Sequence, residues 1–328
     1  MSIKIIAEIG NNHNGNFDLA CNMVQAAKKA GANYAKFQIY NVDDFLHKKS
    51  EYYGEFVKEE LSYQDFAKIY EKFNTESFKI IATPFDAISA KFLLSLGVDI
   101  IKIASGDIDN FLMFNEIVNY KPEIIFSTGG ASEKEIKSAY NYFKNSGCNK
   151  VTPLHCIANY PAENEELNIG YIYRLKEILN CDDVGYSDHS IGIKAPAIAA
   201  SIGATIIEKH FTIDKNLPGG DNEMSINEAE LAKMISNINE ILIMKGLFKK
   251  DFSINEKRTK NLITRRFYSK KNIEAGEKIT SDCLLFLRTD ENIDELSIDI
   301  NYFDIINSVA TRNIPSNKLI LKTDICQT

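Results

Sequence analysis

The sequence predicts an α/β fold: a closed (β/α)8 TIM barrel followed by a small β-rich domain. Three observations carry that expectation. Eight short β-branched runs alternate with longer segments of helical period, polar residues gather at one end of those runs, and the alternation stops near Gly246. With 328 residues the chain exceeds one ordinary barrel of roughly 250, so a second unit is expected.

The strand candidates are Ile3–Glu8, Asn33–Gln38, Phe78–Thr83, Asp99–Ala104, Glu123–Ser127, Lys150–His155, Asp183–Ser187 and Ala204–Lys209. Between the first two, Leu19, Met23, Val24 and Ala27 form an apolar stripe that Gly31 terminates. Further helices are readable at Ala87–Leu96, Glu133–Phe143, Leu167–Leu179, Ala195–Ile202 and Ile226–Met244. Residues 1–246 are therefore expected to form the barrel. Residues 247–262 are charged and lack strong periodicity, as in a linker, which fully extended would span ~50 Å. In 263–328, strands are expected at Arg266–Tyr268, Ile273–Glu277 and Ile305–Arg312, the last before the turn Ile314-Pro315-Ser316-Asn317.

Lys plus Arg number 38 against 45 Asp plus Glu, a net charge of 38 − 45 = −7, without runs of five or more like charges. That balance argues against a nucleic-acid partner and a polybasic membrane anchor, leaving small molecules as the expected ligands. No stretch approaches the ~18 apolar residues of a membrane span. Met1 leads directly into a strand-like segment without a signal peptide, so a cytoplasmic location is expected. Cys21, Cys148, Cys156, Cys181, Cys283 and Cys326 are scattered with no CxxC pair, as in a protein of reduced thiols.

Barrel chemistry resides at the C-terminal ends of the strands. Read in order, those ends carry Glu8, Lys36 with Gln38, Thr83, Lys102 with Ser105, Ser127, His155, Asp188 with His189, and Glu208 with His210. Period-two alternation puts Tyr34, Lys36 and Gln38 on one face, and Ile100, Lys102 and Ala104 on another. A lysine inside a barrel needs an anion, because a buried unpaired ammonium costs several kcal/mol. Two readings stand: a structural pair with Glu8 or Glu208, or a ligand carrying phosphate and carboxylate. Hydroxyls of Thr83, Ser105 and Ser127, with backbone amides freed near Gly106, Gly129 and Gly130, favour the ligand.

His189 and His210 either hydrogen-bond within the core or face one divalent ion whose other sites go to water and substrate. Imidazoles alone do not choose among Mn²⁺, Fe²⁺, Co²⁺ and Zn²⁺. His155 reads equally as a packed residue, His13 as a residue of the first loop able to face the site, and His47 as solvated. Glu8 is the candidate general base, an inward carboxylate near a bound substrate.

The segments Ala7-Glu8-Ile9-Gly10-Asn11-Asn12-His13-Asn14-Gly15, Lys36-Phe37-Gln38, Thr83-Pro84-Phe85-Asp86, Lys102-Ile103-Ala104-Ser105-Gly106, Ser127-Thr128-Gly129, Leu154-His155-Cys156, Tyr160-Pro161, Gly185-Tyr186-Ser187-Asp188-His189 and Glu208-Lys209-His210-Phe211 together resemble the sialic acid synthase family, in order and spacing, to about residue 245. The family includes N-acetylneuraminate synthase and its legionaminic and pseudaminic acid relatives. Ile273-Glu274-Ala275-Gly276-Glu277 and Asn313-Ile314-Pro315-Ser316-Asn317 look like its C-terminal SAF (antifreeze-like, β-clip) domain.

The resemblance implies a transferase that condenses phosphoenolpyruvate with the open-chain aldehyde of an N-acylated hexosamine, such as N-acetylmannosamine, giving a nine-carbon 2-keto acid and phosphate by C–O cleavage. By motif, Lys36, Thr83, Lys102, Ser105, Ser127 and Ser187 would hold phosphoenolpyruvate. Glu8 would handle protons around the attacking water, and His189 and His210 would bind the metal. Gln38, Tyr160, Asp221 and Arg288 would meet the sugar. The implied cofactor is a divalent metal, Mn²⁺ first, with Mg²⁺ or Co²⁺ as alternatives. The implied assembly is a homodimer in which each SAF domain, through Arg288, covers the partner's active site.

Departures from the family pattern lie mostly on the sugar side. They are Ile157-Ala158-Asn159 before Tyr160, Gly219-Gly220-Asp221-Asn222 where Gly-Pro-Asp-His is usual, Asp107 where glutamate is common, and Thr289-Asp290-Glu291-Asn292 behind Arg288. A differently substituted hexose, including a diacetamido-dideoxy sugar, is therefore also an admissible substrate. Two other classes share parts of the pattern. A lyase-type aldolase would use Lys102 or Lys36 as a Schiff base but needs no histidine pair. A non-catalytic carbohydrate-binding protein would have no use for Glu8, Lys36, Lys102, His189 and His210 together.

Overall fold

The protein is described by a computed structural model covering residues 3–246, 249–288 and 300–327. The chain divides into two compact units, Met1–Leu247 and Phe248–Thr328. In the first, β1 (Lys4–Gly10), β2 (Tyr34–Ile39), β3 (Lys79–Pro84), β4 (Ile100–Ile103), β5 (Glu123–Ser127), β6 (Val151–His155), β7 (Gly185–Asp188) and β8 (Ile206–His210) close a parallel barrel in chain order. All eight expected strands are present, each with bounds within about two residues of those expected.

These strands are buried on both faces, which is why they read as continuous Ile-rich runs. One face builds the barrel interior, where Ile6, Tyr34, Ile81, Ile100, Ile125, Leu154 and Ile206 form an apolar layer. The other face packs on the surrounding helices in a larger core that includes Ile5, Phe37, Ile80, Ile101, Phe126 and Ile207. Strand period two then dictates the next interior layer. Two residues beyond the apolar one come Glu8, Lys36, Thr83, Lys102, Ser127 and Glu208, and the pairings Ile6 to Tyr34 and Glu8 to Lys36 keep the first two strands level.

Helix ends follow local chemistry. The helix Phe17–Ala30 starts where the Asn16 side chain accepts from Leu19 N and stops at Gly31, whose φ of +97° is left-handed. Capping boxes, Ser132 with Glu135 and Asn227 with Glu230, start the helices Glu133–Asn145 and Glu228–Lys245. The β2 to β3 connection holds three helices, Val42–Phe45, Tyr53–Glu59 and Tyr63–Phe73, and a further one, Phe111–Val118, precedes β5. None of the four was given bounds from the sequence, although the eightfold alternation expects a helix in each of these two connections. The first two are too short for a periodic stripe, although the buried Phe66, Ile69 and Phe73 are a helical signature.

The second unit corrects several expectations. Within residues 247–262 the segment from Ile254 on is the helix Ile254–Ile263, started by Ser253 accepting from Glu256 N. At ~1.5 Å per helical residue this shortens the connector's reach to about 35 Å. β9 (Arg265–Ser269) pairs antiparallel with β10 (Leu284–Arg288), and β11 (Val309–Ala310) with β12 (Ile325–Cys326). Ile273–Glu277 is no strand: Ile273 makes one bridge to Ile314, and the chain then turns through Gly276 at φ +86°. Ile305–Arg312 splits into the end of the helix Tyr302–Ile305, fixed by an Asn301–Asp304 capping box, and β11. Ile273, Ile279, Cys283, Ile305, Ala310, Ile314 and Ile320 form this unit's own core. All six cysteines are free thiols, and no helix among the described residues is long and apolar enough to cross a membrane.

Candidate active site

The interior polar layer opens into a cavity of about 260 Å³ at the C-terminal mouth of the barrel. Its floor is an alternation of charge. Lys36 Nζ lies 2.9 Å from Glu8 Oε2 and 3.6 Å from Glu208 Oε2, and Lys102 Nζ lies 3.7 Å from Glu208 Oε1. All four side chains are buried. Lys36 also donates to Thr83 Oγ1 at 3.0 Å, Lys102 to Ser127 Oγ at 2.6 Å, and Ser187 to Glu208 Oε1 at 2.8 Å. Ser105 Oγ accepts from Gly129 N at 3.0 Å and meets Cys156 Sγ at 3.1 Å. A Cβ on Gly129 would come within 2.7 Å of that sulfur, so only glycine lets the backbone approach here.

Two carboxylates and two ammoniums in a dry layer do not titrate alike. Burial disfavours the charge of Glu208, but Lys102 and Lys36 together outweigh it and hold the group at about 2. Glu8 has less cationic support, so burial dominates and raises it to about 7. Burial also works against the Lys36 ammonium, yet Glu208 and Glu8 raise its pKa above the ordinary value. For Lys102, burial prevails over Glu208 and lowers it. Glu8 is thus the group of this layer able to exchange a proton near neutral pH.

Above the layer stand the imidazoles of His189 and His210, ring centres 5.5 Å apart, with Tyr160 stacked on His189 at 4.1 Å. Burial lowers both histidines to about 4, so both are neutral at pH 7. His189 Nδ1 lies 2.6 Å from Ile157 O, which fixes the tautomer with the proton on Nδ1. His210 Nδ1 is 3.3 Å from Asp221 Oδ2 without hydrogen-bond geometry. No group of three or more His, Cys, Asp or Glu side chains among the described residues could by itself enclose a metal ion. The pair is an open set of two neutral nitrogen donors, suited to an ion completed by water and substrate.

Of the residues singled out from sequence, Glu8, Lys36, Gln38, Thr83, Lys102, Ser105, Ser127, Tyr160, Ser187, His189 and His210 all line this cavity. Gln38 donates to Glu8 Oε1 at 3.2 Å. Asp221 stands beside it, through His210. Arg288 does not share the barrel: it ends β10 of the second unit, exposed and paired with Arg265. Thr289-Asp290-Glu291-Asn292 lie outside the described residues. His155 is a packed residue, its Nε2 2.8 Å from Leu167 O, and His47 is exposed. His13 does not reach the cavity; it is buried against Phe37, with Nδ1 accepting from Gly15 N at 3.1 Å. Asp188 turns outward to a fully buried Lys209, 2.7 Å away, so it backs the strand end that carries His189 rather than facing substrate. Sequence reading weighed Glu208 only as a structural partner. Its place in the wall between both lysines follows from the same period that runs Ile206, Glu208, His210.

The buried His13 sets a pH expectation. Burial lowers it from 6.5 to about 4, below its value in an unfolded chain. As pH falls, the unfolded state therefore takes up the proton first, and stability present above about pH 6.5 is lost towards pH 4. The urea midpoint should fall more between pH 7 and pH 5 in the wild type than in His13→Gln. Equal drops would show that His13 is readily protonated in the folded protein.

A closed barrel whose mouth gathers two lysines, two carboxylates and two neutral imidazoles is the site of an enzyme. Residues 23–250 match the NeuB family. The N,N′-diacetyllegionaminic acid synthase of Legionella pneumophila is 33% identical over 339 residues, spanning 98% of this chain and 94% of that protein. The pseudaminic acid synthase of Campylobacter jejuni is 32% identical over 295 residues, 85% of each chain. The crystal structure of N-acetylneuraminic acid synthetase from Leptospira borgpetersenii, in complex with citrate, aligns with a TM-score of 0.75 at 34% identity, covering 80% of this chain and 93% of that one. The chain belongs to the NeuB family.

Proposed function

We propose that the protein condenses phosphoenolpyruvate with the open-chain aldehyde of an N-acylated hexosamine to give a nine-carbon 2-keto acid and inorganic phosphate. The observation that carries this reading is the lysine–carboxylate layer set directly beneath two neutral imidazoles. Relatives named for legionaminic, pseudaminic and N-acetylneuraminic acids support the reaction class, and their variety leaves N-acetylmannosamine and diacetamido-dideoxy hexoses as the substrates to test.

Lys36, Lys102 and the hydroxyls of Thr83, Ser105, Ser127 and Ser187 bind and orient the phosphate and carboxylate of phosphoenolpyruvate, a trianion that the two ammoniums offset. C3 of phosphoenolpyruvate bonds to the aldehyde carbon, water adds its oxygen to C2, and phosphate leaves with its bridging oxygen. In net, the two protons of that water pass to the former aldehyde oxygen, now a hydroxyl, and to the departing phosphate, leaving the keto group at C2. Glu8 takes a proton of that water, while Gln38, donating to Glu8 Oε1, keeps the carboxylate turned into the cavity. Tyr160 and Asp221 orient the sugar. A divalent ion on His189 and His210, Mn²⁺ first, would polarise the aldehyde oxygen.

The second unit we read as an SAF domain, with 263–328 as its extent, that completes the site of a partner subunit through Arg288. A barrel mouth of this polarity is open to water, and a reactive intermediate gains from a lid. Mixing inactive Glu8→Gln with inactive Arg288→Ala subunits is then expected to restore turnover, because each mixed dimer has one site with both residues. No recovery after verified subunit exchange would refute the lid in trans.

The reading is tested by phosphate release from phosphoenolpyruvate over a panel of hexosamines with added divalent metal. Release with one hexosamine and none without sugar is the expected result. Borohydride with pyruvate should trap no adduct on Lys36 or Lys102, and a trapped adduct would favour a Schiff-base aldolase instead.

A further inference from the structure

The segment after β8 carries Asp221 over His210, and it is held from outside the cavity. Glu59, on the helix Tyr53–Glu59 of the β2 to β3 connection, is 5% exposed. Its Oε1 accepts from Gly220 N at 2.8 Å and its Oε2 from Asn11 Nδ2 at 3.2 Å. Next to it, the fully buried Asn12 accepts from Asp221 N at 2.8 Å and donates to Phe211 O and Ser225 Oγ, both at 2.9 Å. Asn14 Nδ2 donates to Pro218 O at 2.7 Å. The first loop and Glu59 thus grip the segment on both sides of Asp221.

Backbone geometry ties the grip to the Gly219-Gly220 pair. Gly219 and Gly220 have φ of +72° and +53°, and a Cβ on either would come within 2.6 to 2.7 Å of the Asn14 or Asn12 side-chain oxygen. Where the family pattern has Gly-Pro, a proline at 220 would have φ near −65° and no N–H, so Glu59 would have nothing to accept. The second glycine supplies both the left-handed turn and the donor.

We infer that Glu59 is a positioning residue: with Asn12 it clasps the loop after β8 and so fixes Asp221 beside His210, on the side of the site read above as the sugar's. The inference rests on that reading for its kinetic consequence and on the hydrogen bonds alone for the clasp. Glu59 touches no reacting atom. It acts through the Gly220 amide, and a carboxylate accepting a buried amide is among the stronger hydrogen bonds.

Hydrogen–deuterium exchange of the peptides covering residues 214–225, with steady-state kinetics, tests this on the full chain. Glu59→Ala is expected to speed exchange there about tenfold or more, the effect of losing a hydrogen bond to a charged group. Exchange in the barrel strands should stay unchanged. The KM for the hexosamine should rise by about the same factor while that for phosphoenolpyruvate stays within about twofold. Glu59→Gln, which keeps an acceptor for Gly220 N, should restore most of both. Unchanged exchange in Glu59→Ala, or KM values for both substrates rising together, overturns the proposal. Should the wild type release phosphate with no hexosamine, the functional reading falls, and exchange still decides whether Glu59 clasps the loop.

Discussion

Replacing Glu8 with glutamine is expected to leave phosphoenolpyruvate binding nearly intact and to cut turnover by about 10² to 10⁴, the range for general acid–base help. The argument lies in how the polar layer divides its charge. Lys36 and Lys102 both reach Glu208, which keeps its proton off at about 2, whereas burial leaves Glu8 at about 7. Glutamine preserves volume, and Lys36 retains Thr83 and Glu208 as partners. The variant loses the proton acceptor. Because the folded-state value of Glu8 is raised, its ionised fraction grows as pH increases through 7, so kcat/KM should climb across that interval in the wild type and flatten in Glu8→Gln. Weakened phosphoenolpyruvate binding with unchanged turnover would make Glu8 a binding group instead.

How much of this was legible in the sequence depends on the range of the signal. The barrel was, because a parallel strand covered on both faces must be apolar throughout, and Ile100-Ile101 or Ile206-Ile207 between helical stripes say so locally. The polar layer was too: one step of period two beyond Ile6, Ile100 and Ile125 lies Glu8, Lys102 or Ser127. The helices Val42–Phe45 and Tyr53–Glu59 were not, since four and seven residues hold too few turns for a stripe. Glu59 shows the cost of that. Its role depends on Gly220, 161 positions away, and no local pattern records such a pairing. The second unit was legible only as β-rich: the Asn301–Asp304 box turns the start of an apolar run into a helix, and Gly276 converts another into a bend. Asp188 looked like a site residue because it ends a strand; its partner Lys209 lies on the next strand's outer face, which register alone reveals.

Removing divalent metal is expected to abolish turnover, and adding Mn²⁺ back to restore it. Two imidazoles in one wall are costly to bury for packing alone, and Nδ1 of His210 is buried without a hydrogen-bond partner among the described residues. Burial keeps both neutral at about 4, the state in which an imidazole donates its lone pair to a metal. Ile157 O holds His189 in the tautomer that leaves Nε2 free, and Asp221 stands against Nδ1 of His210, the positions where outer partners orient metal-binding histidines. Loss of such an outer partner usually weakens binding 10- to 100-fold, so loss of a ligand in His189→Ala or His210→Ala should weaken Mn²⁺ affinity by more than about 100-fold. Titration calorimetry reads that directly, apart from any assay of turnover. Both variants should unfold close to the wild-type transition in metal-free buffer, because each buried ring fronts the cavity and its removal enlarges that space without opening a sealed void in the apolar core. Full turnover by a thoroughly stripped enzyme would return the two histidines to the alternative reading, a hydrogen-bonded pair at the mouth of the barrel. So would unchanged Mn²⁺ affinity in both alanine variants.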